Sequence, residues 1–108
     1  MLFNKVKPGE GYRVMSNEEF RGARKGEYSD SKYTQNDPDQ SGTKWVWGSK
    51  ESEKIWKTRL ESYGEKGAVI TKIKTRKALP KYKSFDYPPE GIAYKVPIKD
   101  LGKATKTD

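Results

Sequence analysis

The sequence predicts a small α+β domain in which a mostly antiparallel sheet carries two short helices. Short segments rich in β-branched and aromatic residues recur at 12–16, 44–49 and 68–75, which is typical of strands. Two of these segments run directly into sequences with the signals of a helix N-terminus. The length of 108 residues suits one such domain with a modest core.

The first part of the chain predicts an arm, a strand and a helix. Residues 1–10 form an arm or linker, because Pro8 and Gly9 interrupt any regular element. "YRVMS" follows as a short strand. Ser16 and Glu19 then have the spacing of a capping box, so a helix begins at once and ends near Gly26.

The middle of the chain predicts a long loop, a second strand and a second helix. Residues 29–43 are polar and lack any hydrophobic period, which indicates a loop that either closes over a ligand or contacts a target. "KWVWGS" resumes as a strand, and the next helix runs from the N-cap Ser49 to Gly64. Its buried stripe is expected to contain Ile55, Trp56, Leu60 and Tyr63.

The last third predicts two strands separated by an irregular segment. "AVITKIKT", residues 68–75, is the clearest strand of the chain. Residues 78–91 contain three prolines and indicate irregular structure. Residues 92–101 alternate apolar and polar side chains as a half-buried strand, and Pro97 places it at a sheet edge. The segment 102–108 is expected to be a frayed polar tail, so the compact domain spans 11–101.

Composition narrows the function classes. The 23 basic and 15 acidic residues leave a net charge of +8, which favours an anionic partner such as nucleic acid, a nucleotide or an acidic protein. The absence of cysteine and histidine excludes disulfides, Cys/His zinc sites and the Ser-His-Asp triad. No stretch approaches the ~18 apolar residues of a membrane span, so we expect no membrane segment.

Two functions follow from the residues alone. A metal-independent ribonuclease needs a base, an acid and cations for the phosphate, and the chain offers Glu90, Tyr87, Tyr94, Arg76 and Lys72. Bases of such a substrate would stack on aromatic side chains, unless those side chains belong to the core; the candidates are Tyr33, Trp45 and Trp47. The other function is a basic module that binds nucleic acid or a protein without catalysis.

A third function comes from a resemblance. The order "YRVMSNEEF", polar loop, "TKWVWGSKESEKIWKTRL", "GAVITKIKT" and "PPEGIAYKVPIKDL" resembles the ADP-ribosyltransferase-like toxin domains at the C-termini of bacterial polymorphic toxins, of the Rhs and contact-dependent inhibition types. The resemblance covers residues 11–101 and implies an ADP-ribosyltransferase-like fold. It also implies an enzyme that transfers ADP-ribose from NAD to a protein or RNA.

The resemblance assigns roles to named residues. Arg13 on the first strand would bind NAD, Ser49 would support the nicotinamide pocket, and Glu90 would be the catalytic carboxylate. NAD would lie between the first two strands, and Tyr33 in the long loop would stack on nicotinamide. A carboxylate suits this chemistry, because cleavage of the nicotinamide–ribose bond develops an oxocarbenium-like cation.

Each of these residues also has a purely structural interpretation. Arg13 would be an edge-strand residue with its guanidinium in solvent, Ser49 a helix N-cap, and Glu90 a turn residue. Glu51 and Glu53 would be partners of the helix dipole in the first turn of the second helix.

The resemblance also implies partners and a location. A toxin of this kind would be delivered as part of a larger protein and would act in the cytoplasm of the target cell. An acidic immunity protein would cover its site, which suits the net charge of +8.

Overall fold

One antiparallel sheet organises the part of the chain that the computed structural model describes, which is residues 8–30, 35–62, 64, 67–89 and 91–107. The strands are β1 (Gly9–Met15), β2 (Thr43–Trp47), β3 (Val69–Thr75), β4 (Lys83–Tyr87), β5 (Gly91–Pro97) and β6 (Leu101–Lys106). The helices are α1 (Asn17–Ala23), after β1, and α2 (Lys50–Ser62), after β2. The predicted α+β class, with a mostly antiparallel sheet and two helices, is confirmed.

The strand order β4-β5-β2-β1-β3-β6 puts β1 and β2 in the middle of the sheet. β1 pairs with β3 along its whole length, from Gly9 opposite Thr75 to Met15 opposite Val69. Its pairing with β2 is confined to Tyr12 opposite Trp47. The two central strands therefore diverge beyond that pair, and the sheet is open between them.

Both helices begin at the predicted serine caps. Ser16 Oγ accepts the backbone N–H of Glu19 at 3.1 Å, and Ser49 Oγ accepts the N–H groups of Glu51 and Ser52 at 3.1 and 3.4 Å. These bonds satisfy N–H groups that have no partner within the helix. α1 ends at Ala23, three residues before the predicted end, and the chain then turns through Gly26 at φ +85°.

The buried stripe of α2 differs from the predicted one. Ile55 is 39% exposed, so its assignment to the core is wrong. Glu53 is fully buried instead, and Trp56 and Leu60 are half-buried. The spacing 53, 56 and 60 is itself helical, which explains why these three side chains share the inner face. Tyr63 lies outside the described residues.

Three predictions for the last third of the chain are wrong. Residues 83–87, expected to be irregular, form β4 and pair with β5 from Lys83 opposite Lys95 to Tyr87 opposite Gly91. β5 is consequently an interior strand between β4 and β2. Pro97 is its last residue, where a missing N–H removes little of the ladder.

The supposed polar tail forms an edge strand. β6 pairs with β3 from Thr71 opposite Lys106 to Thr75 opposite Leu101. Two of its side chains, Leu101 and Ala104, are buried in the core. These two buried side chains, together with the pairing to β3, hold a segment that is otherwise polar against the sheet.

Few side chains fill the core, as the 31% hydrophobic content requires. The buried cluster is contributed by all strands except β4, by α1 and by a 3-10 turn at Leu79–Lys81, and contains Met15, Ala23, Val46, Val69, Ile73, Leu79, Val96, Leu101 and Ala104. Aromatic rings extend it, namely Phe20, Tyr28, Tyr82 and Tyr94. No helix in the described ranges is long and apolar enough to cross a membrane.

Candidate functional site

A cleft of about 740 Å³ opens where β1 and β2 diverge. Residues 13–16 of the β1–α1 segment and 44, 45 and 47 of β2 line it, together with α1, residues 27–30 and the inner side of α2. Its volume lies within the range of small-ligand pockets. The cleft lies between the first two strands, which is where the resemblance predicts NAD to bind.

Arg13 spans the gap between the two strands. Its Nη1 donates to the backbone carbonyl of Trp45 at 2.9 Å, and its Nε and Nη2 donate to the carboxylate of Glu19 at 2.6 and 3.0 Å. The guanidinium therefore takes the place of a backbone partner for β2. The interpretation of Arg13 as an edge residue in solvent is wrong, because β1 is interior and the side chain is only 16% exposed.

Glu19 belongs to the first turn of α1 through its backbone and lines the cleft with its side chain. Its N–H completes half of the capping box, but its carboxylate turns to Arg13 instead of returning to Ser16. Burial opposes ionisation, yet the charge and hydrogen bonds of Arg13 hold the pKa of Glu19 below its ordinary value.

Lys44 adds a second buried cation. It is 6% exposed, and its Nζ lies 3.8 Å from Glu19 Oε1. Burial, followed by the charge of Arg13, lowers the pKa of Lys44. With both cations charged and Glu19 ionised, the group Arg13, Lys44 and Glu19 carries one net positive charge. Two neighbouring cations can bind an anion at this point. The rest of the lining is acidic, because it contains Glu18, Glu27 and Asp30.

Glu53 lies on the buried side of α2, which packs against β1, and does not line the cleft. It is fully buried, and neither of its carboxylate oxygens accepts a well-formed hydrogen bond. Burial raises the pKa of Glu53 to about 8, although the charge of Arg13 and the backbone of Val14 oppose the shift. Burial therefore favours the protonated form of Glu53 at neutral pH. Glu51 is exposed, and its carboxylate is paired with Lys54 at 3.1 Å.

Glu19 and Lys44 line the cleft although the sequence predicted no role for them there, and Glu53, predicted as a partner of the helix dipole, is buried instead. The helical spacing of Glu53 with Trp56 and Leu60 was the available signal for its burial. No local pattern marked Lys44, whose place beside Glu19 depends on how β2 passes α1.

Aromatic side chains form much of the cleft wall. Trp47 and Trp56 stack with ring centroids 6.0 Å apart, and both line the cleft. The indole Nε1 of Trp47 is buried without an acceptor among the described residues. A buried donor without a partner is a position that a ligand oxygen can satisfy.

The long loop starts at the rim of the cleft. Ser29 and Asp30 line it, and Asp30 accepts the backbone N–H of Gly42 at 2.6 Å and the hydroxyl of Ser41 at 3.3 Å. Asp30 thereby ties the two ends of the loop together. Tyr33, which was expected to stack on nicotinamide, lies outside the described residues.

The first turn of α2, which Ser49 caps, lies close to Gly91 at the start of β5. Ser49 is exposed, caps α2 and does not line the cleft. Glu90 lies outside the described residues, but Gly91 after it begins β5, and a Cβ built on Gly91 would lie 3.3 Å from Ser52 Oγ in α2. The first turn of α2 and the start of β5 are therefore neighbours.

Two of the described candidate nuclease residues, Lys72 and Tyr94, lie far apart in the sheet. Lys72 on β3 and Tyr94 on β5 are separated by β1 and β2, which corresponds to roughly 14 Å at the usual strand spacing. Arg76 follows β3, where its N–H donates to the Asp100 carbonyl at 2.9 Å. Nothing is described of the Tyr87 side chain or of Glu90.

Comparisons of the chain with protein-family models, with curated proteins and with solved structures found no match.

Proposed function

We propose that the chain is an ADP-ribosyltransferase-like domain that binds NAD in the cleft between β1 and β2 and transfers ADP-ribose to a cellular protein or RNA. The observation that carries the proposal is the position of Arg13, an arginine on the first strand held in the gap between the two central strands. The resemblance implied an arginine there for binding NAD.

Arg13 and Lys44, at the gap between the two strands, support a diphosphate ligand at that point of the cleft. Arg13, Lys44 and Glu19 together leave one positive charge in a half-buried setting. A guanidinium has five N–H donors, and the bonds to Glu19 and Trp45 leave two of them for phosphate or ribose oxygens. The stacked Trp47 and Trp56 add an apolar wall.

The assignment of Glu90 as the catalytic carboxylate follows from the resemblance. Glu90 directly precedes β5, and β5 is paired with β2 on the side away from β1. In the reaction, the bond between nicotinamide and ribose C1′ breaks and its electron pair leaves with nicotinamide. A nucleophile of the target bonds to C1′ and releases its proton to solvent. Glu90 would stabilise the cationic transition state and accept a hydrogen bond from a ribose hydroxyl.

Ser49 takes a more limited role in this proposal. As an exposed N-cap it fixes the first turn of α2, which lies against the start of β5. Ser49 would thus support the pocket through the helix. The toxin context, an acidic immunity protein and action in the cytoplasm of a target bacterium belong to the same proposal and follow from the resemblance.

Labelled NAD tests the proposal directly. The purified chain would be incubated with adenine-labelled NAD and a bacterial lysate, and parallel samples treated with protease or ribonuclease. We expect label in a macromolecular fraction that one of the two treatments removes. Intact NAD with no transferred label would contradict the proposal, and degraded RNA in the same sample would favour the ribonuclease.

Substitutions connect the transfer to the site. Glu90→Gln keeps the size of the side chain and removes its charge, so transfer should fall at least about 100-fold. Arg13→Lys should weaken NAD binding, and the NAD-dependent rise in Tm should then be lost. In the unaltered chain, NAD at a concentration of about 100 times its Kd should stabilise the folded state by about 2.7 kcal/mol. Glu61→Gln, an exposed position near the end of α2 that does not line the cleft, is the matched control and should retain both properties.

A further inference from the structure

Four side chains form a basic and aromatic surface on one face of β2, β4 and β5. Lys83 stands directly opposite Lys95, and Lys95 stands directly opposite Trp45. Directly opposite residues of neighbouring strands project from the same face, so these three form a row across the sheet. Phe85 is two residues after Lys83 on β4 and shares that face. We call Lys83, Phe85, Lys95 and Trp45 the basic-aromatic face.

The four side chains also contact one another. The rings of Trp45 and Phe85 meet edge to face, with centroids 5.3 Å apart and planes at 80°. Lys83 Nζ lies 5.2 Å from the centroid of the Phe85 ring. The face therefore presents positive charge and aromatic surface within one or two strand spacings.

The charge arrangement is unfavourable for the isolated protein. Like charges directly opposite on neighbouring strands destabilise a sheet. In the described part of the chain neither Lys83 nor Lys95 has a carboxylate within ion-pair distance. The side chains that the three strands place on this face include no acid. An anion between the two ammonium groups would remove the repulsion.

Helix packing leaves this face accessible. α1 and α2 pack mainly on β1, β2, β3 and β6. On the side of the sheet that carries the basic-aromatic face, α2 contacts Trp47 through Trp56 and approaches Gly91 through Ser52. Lys83 is exposed, and Phe85, Lys95 and Trp45 are half-buried. Trp45 also lines the cleft, so the face and the cleft are continuous.

We propose that the basic-aromatic face binds single-stranded nucleic acid. Lys83 and Lys95 would neutralise neighbouring phosphates, and unstacked bases would lie against Phe85 and Trp45. Duplex bases are stacked on each other and cannot reach such rings, which is why the face fits a single strand. A nucleic-acid strand bound here would run to the mouth of the cleft and could be the target of the transferase. That assignment of the target rests on the function proposed above.

The test is a binding measurement without NAD. A fluorescein-labelled, unstructured RNA of about 12 nucleotides would be titrated with the full chain, and fluorescence anisotropy recorded at several salt concentrations. Lys83→Ala/Lys95→Ala should weaken binding about tenfold or more and reduce the salt slope by about 1.4, which corresponds to two phosphate contacts. Phe85→Leu should weaken binding by about fivefold with an unchanged salt slope.

A control pair isolates position from net charge. Lys74→Ala/Lys106→Ala removes two exposed lysines from β3 and β6, at the other end of the sheet, and should leave affinity within about twofold. An equal loss in both pairs would overturn the inference, as would equal binding of a duplex of the same length. Unchanged RNA binding with self-association of Lys83→Ala/Lys95→Ala would also overturn it and assign the lysines to protection of the β4 edge.

Binding and transfer can fail independently. RNA binding that persists in Glu90→Gln, with no labelled transfer by the unaltered chain, would retain the nucleic-acid surface and reject the transferase. Transfer of label to protein, with no RNA binding at low salt, would retain the transferase and reject the surface.

Discussion

Glu19 contributes to two structures at once. Its backbone N–H is part of the α1 cap, and its carboxylate holds Arg13 across the gap between β1 and β2. Half-buried ion pairs of this kind are sensitive to removal of one partner, because the remaining charge keeps the cost of burial without its compensation.

Glu19→Gln should therefore destabilise the protein. The amide cannot compensate the charge of Arg13, and Lys44 loses its nearest anion as well. We expect the free energy of unfolding to fall by about 3 kcal/mol, measured by urea denaturation. The matched control is Glu18→Gln, an exposed neighbour on the same helix, which should change stability by less than about 0.5 kcal/mol. Equal effects in the two variants would show that the pair with Arg13 is energetically unimportant.

At the scale of elements, the cleft depends on where β1 and β2 touch. A Cβ on Gly11 would overlap the Cγ1 of Val46 and would lie 2.9 Å from the carbonyl oxygen of Trp47. The strands can approach at this point only because Gly11 has no side chain. They separate again around Arg13, where the guanidinium bridges them.

Gly11→Ala should push the two central strands apart. Overpacking against backbone is expected to cost about 2–3 kcal/mol of stability and to lower affinity for any ligand of the cleft. Gly48→Ala serves as the control, since its Cβ would meet Tyr94 at an ordinary 3.7 Å. The Tm of both variants would be measured by thermal denaturation. A Gly11→Ala variant as stable as Gly48→Ala would contradict this account of the strand contact.

β6 is the second element whose role can be tested. Ala104 is 3% exposed and packs in the core, whereas Thr105 beside it is exposed. Ala104→Asp should bury an unpaired carboxyl and destabilise the chain by about 3 kcal/mol or more. Thr105→Asp should be close to neutral. Hydrogen exchange should also show protected amides in β6, and rapid exchange throughout 101–106 would favour the frayed tail instead.

At the scale of the whole molecule, two glutamates oppose each other in their effect on stability. The folded pKa of Glu19 is lowered, so its contribution is present above the unfolded pKa of 4.5 and is lost as pH falls through the folded pKa. The folded pKa of Glu53 is raised to about 8, so its folded form holds a proton that the unfolded chain releases from pH 4.5 upward. Stability attributable to Glu53 therefore falls as pH rises from 4.5 to about 8 and is constant above that.

The pH dependence of unfolding should thus have a maximum in mildly acidic solution. Between pH 5 and 8 the free energy of unfolding should fall by up to about 1.4 kcal/mol per pH unit. Glu53→Gln should remove most of this slope and be more stable than the unaltered chain at pH 8. The free energy of unfolding would be measured by urea denaturation at each pH. Glu51→Gln, at an exposed position, is the control that should retain the slope. A flat profile in the unaltered chain would indicate that Glu53 is solvated.

Much of the fold followed from the sequence. Strands were predicted at 12–16, 44–49 and 68–75, and the structure has them at Gly9–Met15, Thr43–Trp47 and Val69–Thr75. These strands, the α+β class and the two serine-capped helices depend on patterns within a few residues of one another. The location of a cleft between the first two strands and the presence of Arg13 in it were also predicted, on the resemblance. Functional roles for Arg13, Ser49, Tyr33 and Glu90 stay predictions.

Only the tertiary structure decided the rest. β4 and β6 are short and polar, and they become strands because β5 and β3 offer them a ladder and a few buried contacts. Glu53 is buried because α2 turns that face to β1, and Arg13 is enclosed because Glu19, six residues away, and Trp45, from another strand, surround it. Local sequence determines which elements form, whereas the energy of a charge or an edge strand depends on neighbours that are distant in the chain.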